Sequence, residues 1–179
     1  MPLSGLLVSN HLSYLDVLVL SSIRPCVFVA KRDVAAWPLF GWLARAAGTI
    51  FVDRKHRLSS PAVVGLVRDA IAGGSVVVLP EGTSSDGSTV LPFKSALLES
   101  AVQLRCPVAS ASIQYALDDG SVADEVCYWR DMILVPHLFN LFFKREIRAK
   151  YSFSQAKVRA GNRKEIAREL RDEIVSIRS

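Results

Sequence analysis

The sequence predicts an α/β domain, a mostly parallel or mixed sheet flanked by helices. Four short apolar runs carry that prediction: Leu6-Leu7-Val8, Cys26–Ala30, Thr49–Val52 and Val76–Leu79. Each is apolar at nearly every position, the composition of a strand buried on both faces. Stretches with helical spacing separate them, and strands alternating with helices build parallel sheets. The chain has 179 residues, half of them hydrophobic, so one sizeable core and a single domain over 1–179 are expected.

Leu6-Leu7-Val8 opens the sheet. Ser13-Tyr14-Leu15-Asp16 then reads as a capping box, with Ser13 at the N-cap and the Asp16 carboxylate reaching back. Leu12 and Val17 would close a hydrophobic staple, and a short helix from Asp16 to Ser22 ends before Pro25. Cys26–Ala30 is the second strand, followed by Lys31-Arg32. The spacing of Leu39, Trp42, Leu43 and Ala46 predicts a helix over Pro38–Ala47 with those four on one face, closed by Gly48. Thr49–Val52 is the third strand and runs into Asp53-Arg54-Lys55-His56-Arg57. Ser60 and Pro61 open the next helix as N-cap and first position. Val63, Val64, Leu66, Val67, Ala70 and Ile71 are its apolar residues, and Gly73-Gly74 ends it. Val76–Leu79 is the fourth strand, and the loop Pro80–Gly87 behind it is rich in turn formers.

Ser95–Leu104 reads as a helix and Pro107–Ile113 as a fifth strand. A turn over Leu117–Gly120 and a short strand over Val126–Trp129 follow. Met132–Phe143 is strongly apolar but carries Pro136, His137 and Asn140. Ile147, Ala149, Tyr151 and Phe153 alternate with Arg148, Lys150 and Ser152, the pattern of a half-buried strand. Asn162 caps the last helix with Glu165 as its N3 acid, and Ile166, Leu170, Ile174 and Ile177 form its inner stripe.

A net charge of +5 favours an anionic partner: nucleic acid, a membrane surface or a phosphorylated substrate. Neither a zinc-finger spacing nor an aromatic-studded RNA motif is present, so nucleic acid is not expected. Cys26, Cys106 and Cys127 are widely separated, which suits reduced, buried thiols and a cytoplasmic setting. No run approaches the ~18 uninterrupted apolar residues of a membrane span. The N-terminus shows no basic region ahead of an apolar one.

Ligands of parallel sheets bind beyond the carboxyl ends of the strands. His11, Lys31, Arg54 and Glu81 follow the first four expected strands, so a base, two cations and a carboxylate would meet at one edge. Polar loops after buried strands would give the same pattern with no site. On a continuous helix, residues five apart lie about 140° from each other. With His11 in the turn ahead of the helix, the chain can fold its imidazole onto Asp16. An imidazole oriented by a buried carboxylate is a general base. The alternative leaves Asp16 as a cap and His11 as a turn residue. No residues have metal-ligand spacing, and Asp86 lacks the repeated oxygen ligands of a cation loop, so no metal is expected.

Asn10-His11-Leu12-Ser13-Tyr14-Leu15-Asp16 resembles the Asn-His-x-Ser-x-x-Asp block of the glycerolipid acyltransferase family, the 1-acylglycerol-3-phosphate O-acyltransferases and bacterial lysophospholipid acyltransferases among them. Gly48–Arg54 resembles its second block and Leu79–Ser85 its third. Cys106-Pro107-Val108 sits where the fourth belongs, and Tyr128–Met132 with Pro136-His137 is similar to the tail of bacterial members. Four blocks in order over roughly Leu6 to Ile113 are highly specific together.

The resemblance implies a glycerol-phosphate acyltransferase-like fold. It implies transfer of a fatty acyl group from acyl-CoA or acyl carrier protein, a co-substrate with no bound cofactor, to the hydroxyl of a lysophospholipid in phospholipid biosynthesis. By matching position His11 would be the base and Asp16 its orienting partner. Asn10, Ser13, Lys31, Arg54, Glu81, Gly82 and Thr83 would form the substrate-binding set, with Arg54 on an anionic head group. Backbone N–H groups around Gly82-Thr83 would serve the developing oxyanion. The acceptor implied first is 1-acylglycerol-3-phosphate.

One departure bears on that acceptor. Many members carry an arginine after Glu-Gly-Thr, and here that position is Ser84, which removes a bidentate phosphate clamp. Arg54 with Lys31 or Lys94 would have to suffice. Family members that acylate lyso-ornithine lipid have a similar Glu-Gly-Thr-x-x-Asp-Gly loop, and that acceptor is the alternative. A reading from another class is a non-catalytic lipid-binding module at the membrane surface, using Arg54–Arg57, Lys144–Arg148 and Arg163-Lys164. A hydrolase lacks its Gly-x-Ser-x-Gly elbow here. Relatives often carry hydrophobic helices before the first block, whereas five residues precede the first strand here. A domain trimmed of an N-terminal membrane anchor, or a short reading frame, is therefore expected. The expected location is the cytoplasmic face of an anionic membrane, peripherally bound, with Met132–Phe143 either inserted or part of the core.

Overall fold

The computed structural model describes residues 4–37, 40–52 and 60–178. Five parallel strands form the centre: β1 (Gly5–Ser9), β2 (Cys26–Lys31), β3 (Ile50–Val52), β4 (Ser75–Val78) and β5 (Pro107–Ala116). Their order is β3-β2-β4-β1-β5, continued by β6 (Arg148–Phe153), which runs antiparallel to β5. The two-residue β7 (Lys157–Val158) pairs antiparallel with the start of β5. The sheet is mixed, with β1 between β4 and β5.

The helices are α1 (Leu15–Ile23), α2 (Phe40–Ala46), α3 (Pro61–Gly73), α4 (Glu99–Leu104), α5 (Val122–Glu125), α6 (Leu134–Phe142) and α7 (Arg163–Ile177). Successive strand residues face opposite sides, so the apolar runs feed two cores. Leu6, Val8, Val76, Val78 and Val108 pack with Val63 and Val67 of α3 and Ile166, Leu170 and Ile174 of α7. Leu7, Val77, Phe28, Ala109 and Ala111 pack with Leu20 of α1 on the other side.

Local signals start α3 and α7 where the sequence places them. Ser60 Oγ accepts the Val63 N–H at 3.4 Å ahead of Pro61. Asn162 accepts the N–H groups of Lys164 and Glu165, and Glu165 accepts that of Asn162 at 3.0 Å.

The expected capping box of α1 is half formed. Tyr14 is the N-cap and makes no side-chain cap bond, and Ser13 Oγ is buried without a partner among the described residues. The Asp16 carboxylate does accept the Ser13 N–H, at 3.2 Å. It is drawn into the preceding loop, and the helix starts one residue after the box would start it. The staple is absent as drawn, because Leu12 packs with Ile113, Tyr115 and Cys127 while Val17 packs on the Leu7 side.

In α2 the inward stripe is also different. Trp42 is 65 % exposed and Leu43 and Ala46 are exposed, while Gly41 is buried. A Cβ on Gly41 would lie 2.3 Å from the Ala35 carbonyl oxygen, so the helix uses its glycine face for close approach. Leu39 lies outside the described residues. The strand expected at Val126–Trp129 is absent: α5 occupies Val122–Glu125, and Val126–Trp129 continue as turn and loop. Only Cys127 of the three thiols is buried; Cys26 and Cys106 are half-buried.

Candidate active site

The loop between β1 and α1 holds His11 at the carboxyl edge of the sheet. His11 Nδ1 lies 2.8 Å from Asp16 Oδ2, with the imidazole 22 % and the carboxylate 1 % exposed. The same oxygen accepts the Leu12 N–H at 2.7 Å and the Ser13 N–H at 3.2 Å. Asp16 Oδ1 accepts the Tyr115 hydroxyl at 2.7 Å. A carboxylate already accepting backbone N–H groups takes the imidazole as a further donor. Nδ1 therefore carries the hydrogen, and Nε2 presents its lone pair. Burial first, then the Asp16 charge and the hydrogen bond to it, push the Tyr115 phenol far up, which keeps its hydroxyl a donor.

Tyr115 was not among the residues singled out from sequence, nor was Tyr151, whose hydroxyl donates to the Asp16 carbonyl at 3.3 Å. Both belong to the end of the sheet that carries His11. The rule that pointed to His11, residues near the carboxyl end of a parallel strand, applies equally to Tyr115 near the end of β5.

The loop after β4 folds over His11. Ser85 N–H donates to the His11 carbonyl at 3.0 Å, and His11 N–H donates to Glu81 Oε1 at 3.4 Å. Glu81 is 2 % exposed, and its Oε2 makes no hydrogen bond among the described residues. Burial, opposed by the His11 N–H and reinforced by the Asp16 charge, pushes its pKa up to about 8. At neutral pH it is chiefly a neutral acid. Gly82 has φ +67, a left-handed conformation that favours glycine, and the flexible end of Lys94 lies against it. The Gly82 N–H donates to the Leu79 carbonyl, which removes it from the expected oxyanion donors. Thr83 is exposed, and its N–H has no partner among the described residues. Ser84 Oγ donates to the Tyr128 carbonyl and pins the loop to the segment before α6.

The other expected site residues fall in different places. Lys31 is the exposed last residue of β2, two strands from β1 in the sheet. Asn10 is buried, and its amide both donates to and accepts from the Ile113 backbone, at 3.1 and 2.8 Å. Ser13 is fully buried. Arg54 lies outside the described residues. His137 Nε2 donates to the Cys127 carbonyl at 3.1 Å, so its Nδ1 accepts the Tyr14 hydroxyl at 2.9 Å. Among the described residues, no group of His, Cys, Asp and Glu could hold a metal.

A family model described as Acyltransferase matches residues 3–114, the span that contains β1 to β4, most of β5, His11, Asp16 and Glu81. The chain belongs to the acyltransferase family. Among relatives of this acyltransferase chain are lyso-ornithine lipid O-acyltransferases. That of Rhizobium meliloti is 35 % identical over 91 % of this chain and 61 % of its own length. That of Rhodobacter capsulatus is 38 % identical over 75 % and 50 %. A 1-acyl-sn-glycerol-3-phosphate acyltransferase of Neisseria gonorrhoeae is 32 % identical over 72 % of this chain and 54 % of its own. The chain thus spans half to three-fifths of the length of these curated relatives. The crystal structure of the 1-acyl-sn-glycerophosphate acyltransferase PlsC from Thermotoga maritima matches the whole chain and 68 % of its own, with a TM-score of 0.62 at 19 % identity. The acyltransferase fold is shared with that structure.

Proposed function

We propose that the chain transfers a fatty acyl group from a thioester to the hydroxyl of a lysolipid. The observation that carries this is the 2.8 Å contact of His11 Nδ1 with Asp16, which leaves Nε2 as a base on a partly exposed ring. The acceptor hydroxyl gives its proton to Nε2 as its oxygen attacks the thioester carbonyl carbon. The tetrahedral oxyanion is met by the Thr83 N–H. The C–S bond then breaks, and the imidazolium returns the proton to the departing thiolate, so the products are an ester and a free thiol. No acyl-enzyme forms, because the acceptor supplies the nucleophile. Acyl-CoA or acyl carrier protein serves as donor and acts as a co-substrate.

The acceptor read first from the family is 1-acylglycerol-3-phosphate. A second reading, lyso-ornithine lipid, is favoured by Ser84, whose hydroxyl is spent on Tyr128 where many relatives place a phosphate-binding arginine. Thiol release from palmitoyl-CoA with each lysolipid, with product mass measured, tests both. Release with neither acceptor, alongside lipid binding, would leave a non-catalytic module as the better reading.

We also place the chain peripherally on an anionic membrane at the cytoplasmic face. No helix among the described residues is long and apolar enough to cross a membrane. The α6 region turns Ile133, Val135, Phe139, Phe142 and Phe143 outward, the last 85 % exposed, with exposed Arg130 and Arg145 beside them. An apolar face bordered by cations is the composition of an interfacial helix.

A further inference from the structure

On the face of the sheet opposite α1, α7 and the end of the 80–94 loop flank an open groove of about 570 Å³. Pro92, Phe93 and Ser95 form one wall, and Lys164, Arg168 and Arg171 of α7 the other. The three cations follow one another at four- and three-residue intervals, which brings them to one side of the helix. Arg171 is anchored: its Nε and Nη2 donate to the Val90 carbonyl at 3.0 and 2.7 Å, and Nη1 lies 3.8 Å from Asp172. Lys164 and Arg168 are exposed and pair with no carboxylate among the described residues. None of these residues takes part in the chemistry at His11.

We propose that this groove binds the nucleotide end of an acyl-CoA donor, the phosphates on Lys164 and Arg168 and the adenine against Phe93 and Pro92. The inference rests on the acyl-transfer reading. The groove has the size of a small-molecule site, typically about 300–1,000 Å³. Guanidinium and ammonium groups over an aromatic and a proline suit a phosphorylated nucleotide.

The reach also fits. Arg171 holds Val90, and Ser85 holds the His11 carbonyl. The five residues from Ser85 to Val90 span at most ~18 Å, and Arg168 stands roughly 4.5 Å further along α7 than Arg171. The cysteamine, β-alanine and pantoate units of a pantetheine arm have the length of roughly five extended residues, about 17 Å. Lys94, one residue beyond Phe93, lies against Gly82 and extends the cationic track to the catalytic loop.

Charge argues against an acidic carrier protein at this face. Glu165, Glu169 and Asp172 alternate with the cations along α7 and would repel a broad acidic surface. A small nucleotide in the groove need not meet them.

The test is titration of adenosine 3′,5′-bisphosphate into the whole chain by calorimetry, for wild type, Lys164→Ala/Arg168→Ala and Lys164→Glu/Arg168→Glu. Both side chains are exposed, so thermal melting is expected to stay close to wild type in the alanine pair. Wild type should bind the bisphosphate, and both pairs should weaken that binding by about tenfold or more. In turnover, the ratio of kcat/KM for palmitoyl-CoA to that for palmitoyl-pantetheine should fall by a similar factor. No binding by wild type, or unchanged binding by the pairs, overturns the proposal. So does an unchanged donor ratio. Loss of binding to anionic vesicles or of acyl carrier protein use, with bisphosphate binding intact, assigns the groove elsewhere and also overturns it. Binding is read without turnover, so an inactive protein that holds the bisphosphate through these cations refutes the acyl-transfer reading alone.

Discussion

Asp16 is the residue through which the site is assembled, because one buried carboxylate joins the imidazole, two backbone N–H groups and the Tyr115 hydroxyl. Asparagine keeps the shape but offers one accepting oxygen in place of two. Asp16→Asn is therefore expected to lower stability by about 2–4 kcal/mol in denaturant melts and turnover by about 10²–10⁴. His11→Ala should lose a comparable factor in kcat with its denaturation midpoint almost unchanged, since the ring is partly exposed and fills no core position. A His11→Ala protein as active as wild type would remove the base from the mechanism. Tyr115→Phe leaves an acceptor buried and unpaired, at a cost of about 1–3 kcal/mol. Ser84→Arg separates the acceptors: with lyso-ornithine lipid as the native acceptor, its use should fall relative to 1-acylglycerol-3-phosphate. An unchanged ratio of the two, measured side by side, would mean that position 84 does not touch the acceptor.

The helix α6 leaves Val135, Phe139 and Phe142 exposed, and it gives a prediction that does not depend on catalysis. Only His137 and Leu141 of its residues are buried. Burying one aromatic side chain is worth about 1.5–3 kcal/mol, so Phe139→Asp/Phe142→Asp should weaken flotation with anionic liposomes at least tenfold. Raised salt should weaken it further, at roughly 1 kcal/mol for each screened Lys or Arg. Equal flotation with neutral and anionic vesicles at every salt concentration would exclude the electrostatic part. The same elements mark what local sequence can and cannot specify. α3 and α7 are legible because their caps, Ser60-Pro61 and Asn162 with Glu165, are satisfied within one turn. The start of α1 is not, because Ser13 Oγ makes no cap bond among the described residues, while the Asp16 acid serves His11, Leu12 and Tyr115 as well as the Ser13 N–H. The stripe of α2 misleads for a similar reason, since a close backbone approach at Gly41 outweighs the spacing of its larger residues. β7 is two residues long, too short for any periodicity.

At the scale of the molecule, parallel pairing of β1, β2 and β4 brings the segments carrying His11, Lys31 and Glu81 to one edge, and that much follows from reading charges after apolar runs. The tyrosines that hold Asp16 could not be read so, because they come from 99 and 135 residues away and tyrosine is equally a core residue. Glu81 looks in sequence like a solvent-facing ligand, yet the folded loop buries it and raises its pKa from 4.5 to about 8. That has a consequence for the whole fold. Between these two values the folded chain keeps a proton that the unfolded chain has released, so stability falls as pH rises through the window. His137 works in the opposite sense lower down: burial lowers its pKa below 6.5, so stability is lost as pH falls below that value. From pH 6.5 to 8 the His137 contribution changes by only about 0.4 kcal/mol, so the Glu81 decline dominates. It should amount to about 2 kcal/mol, or a Tm drop of roughly 4–8 °C for a chain of this size. Glu81→Gln keeps an acceptor for the His11 N–H but cannot ionise, so its melting temperature should change far less over that range. Calorimetric scans of both proteins at pH 6.5, 7.25 and 8 decide the matter, and parallel curves would mean that Glu81 is already ionised in the folded chain.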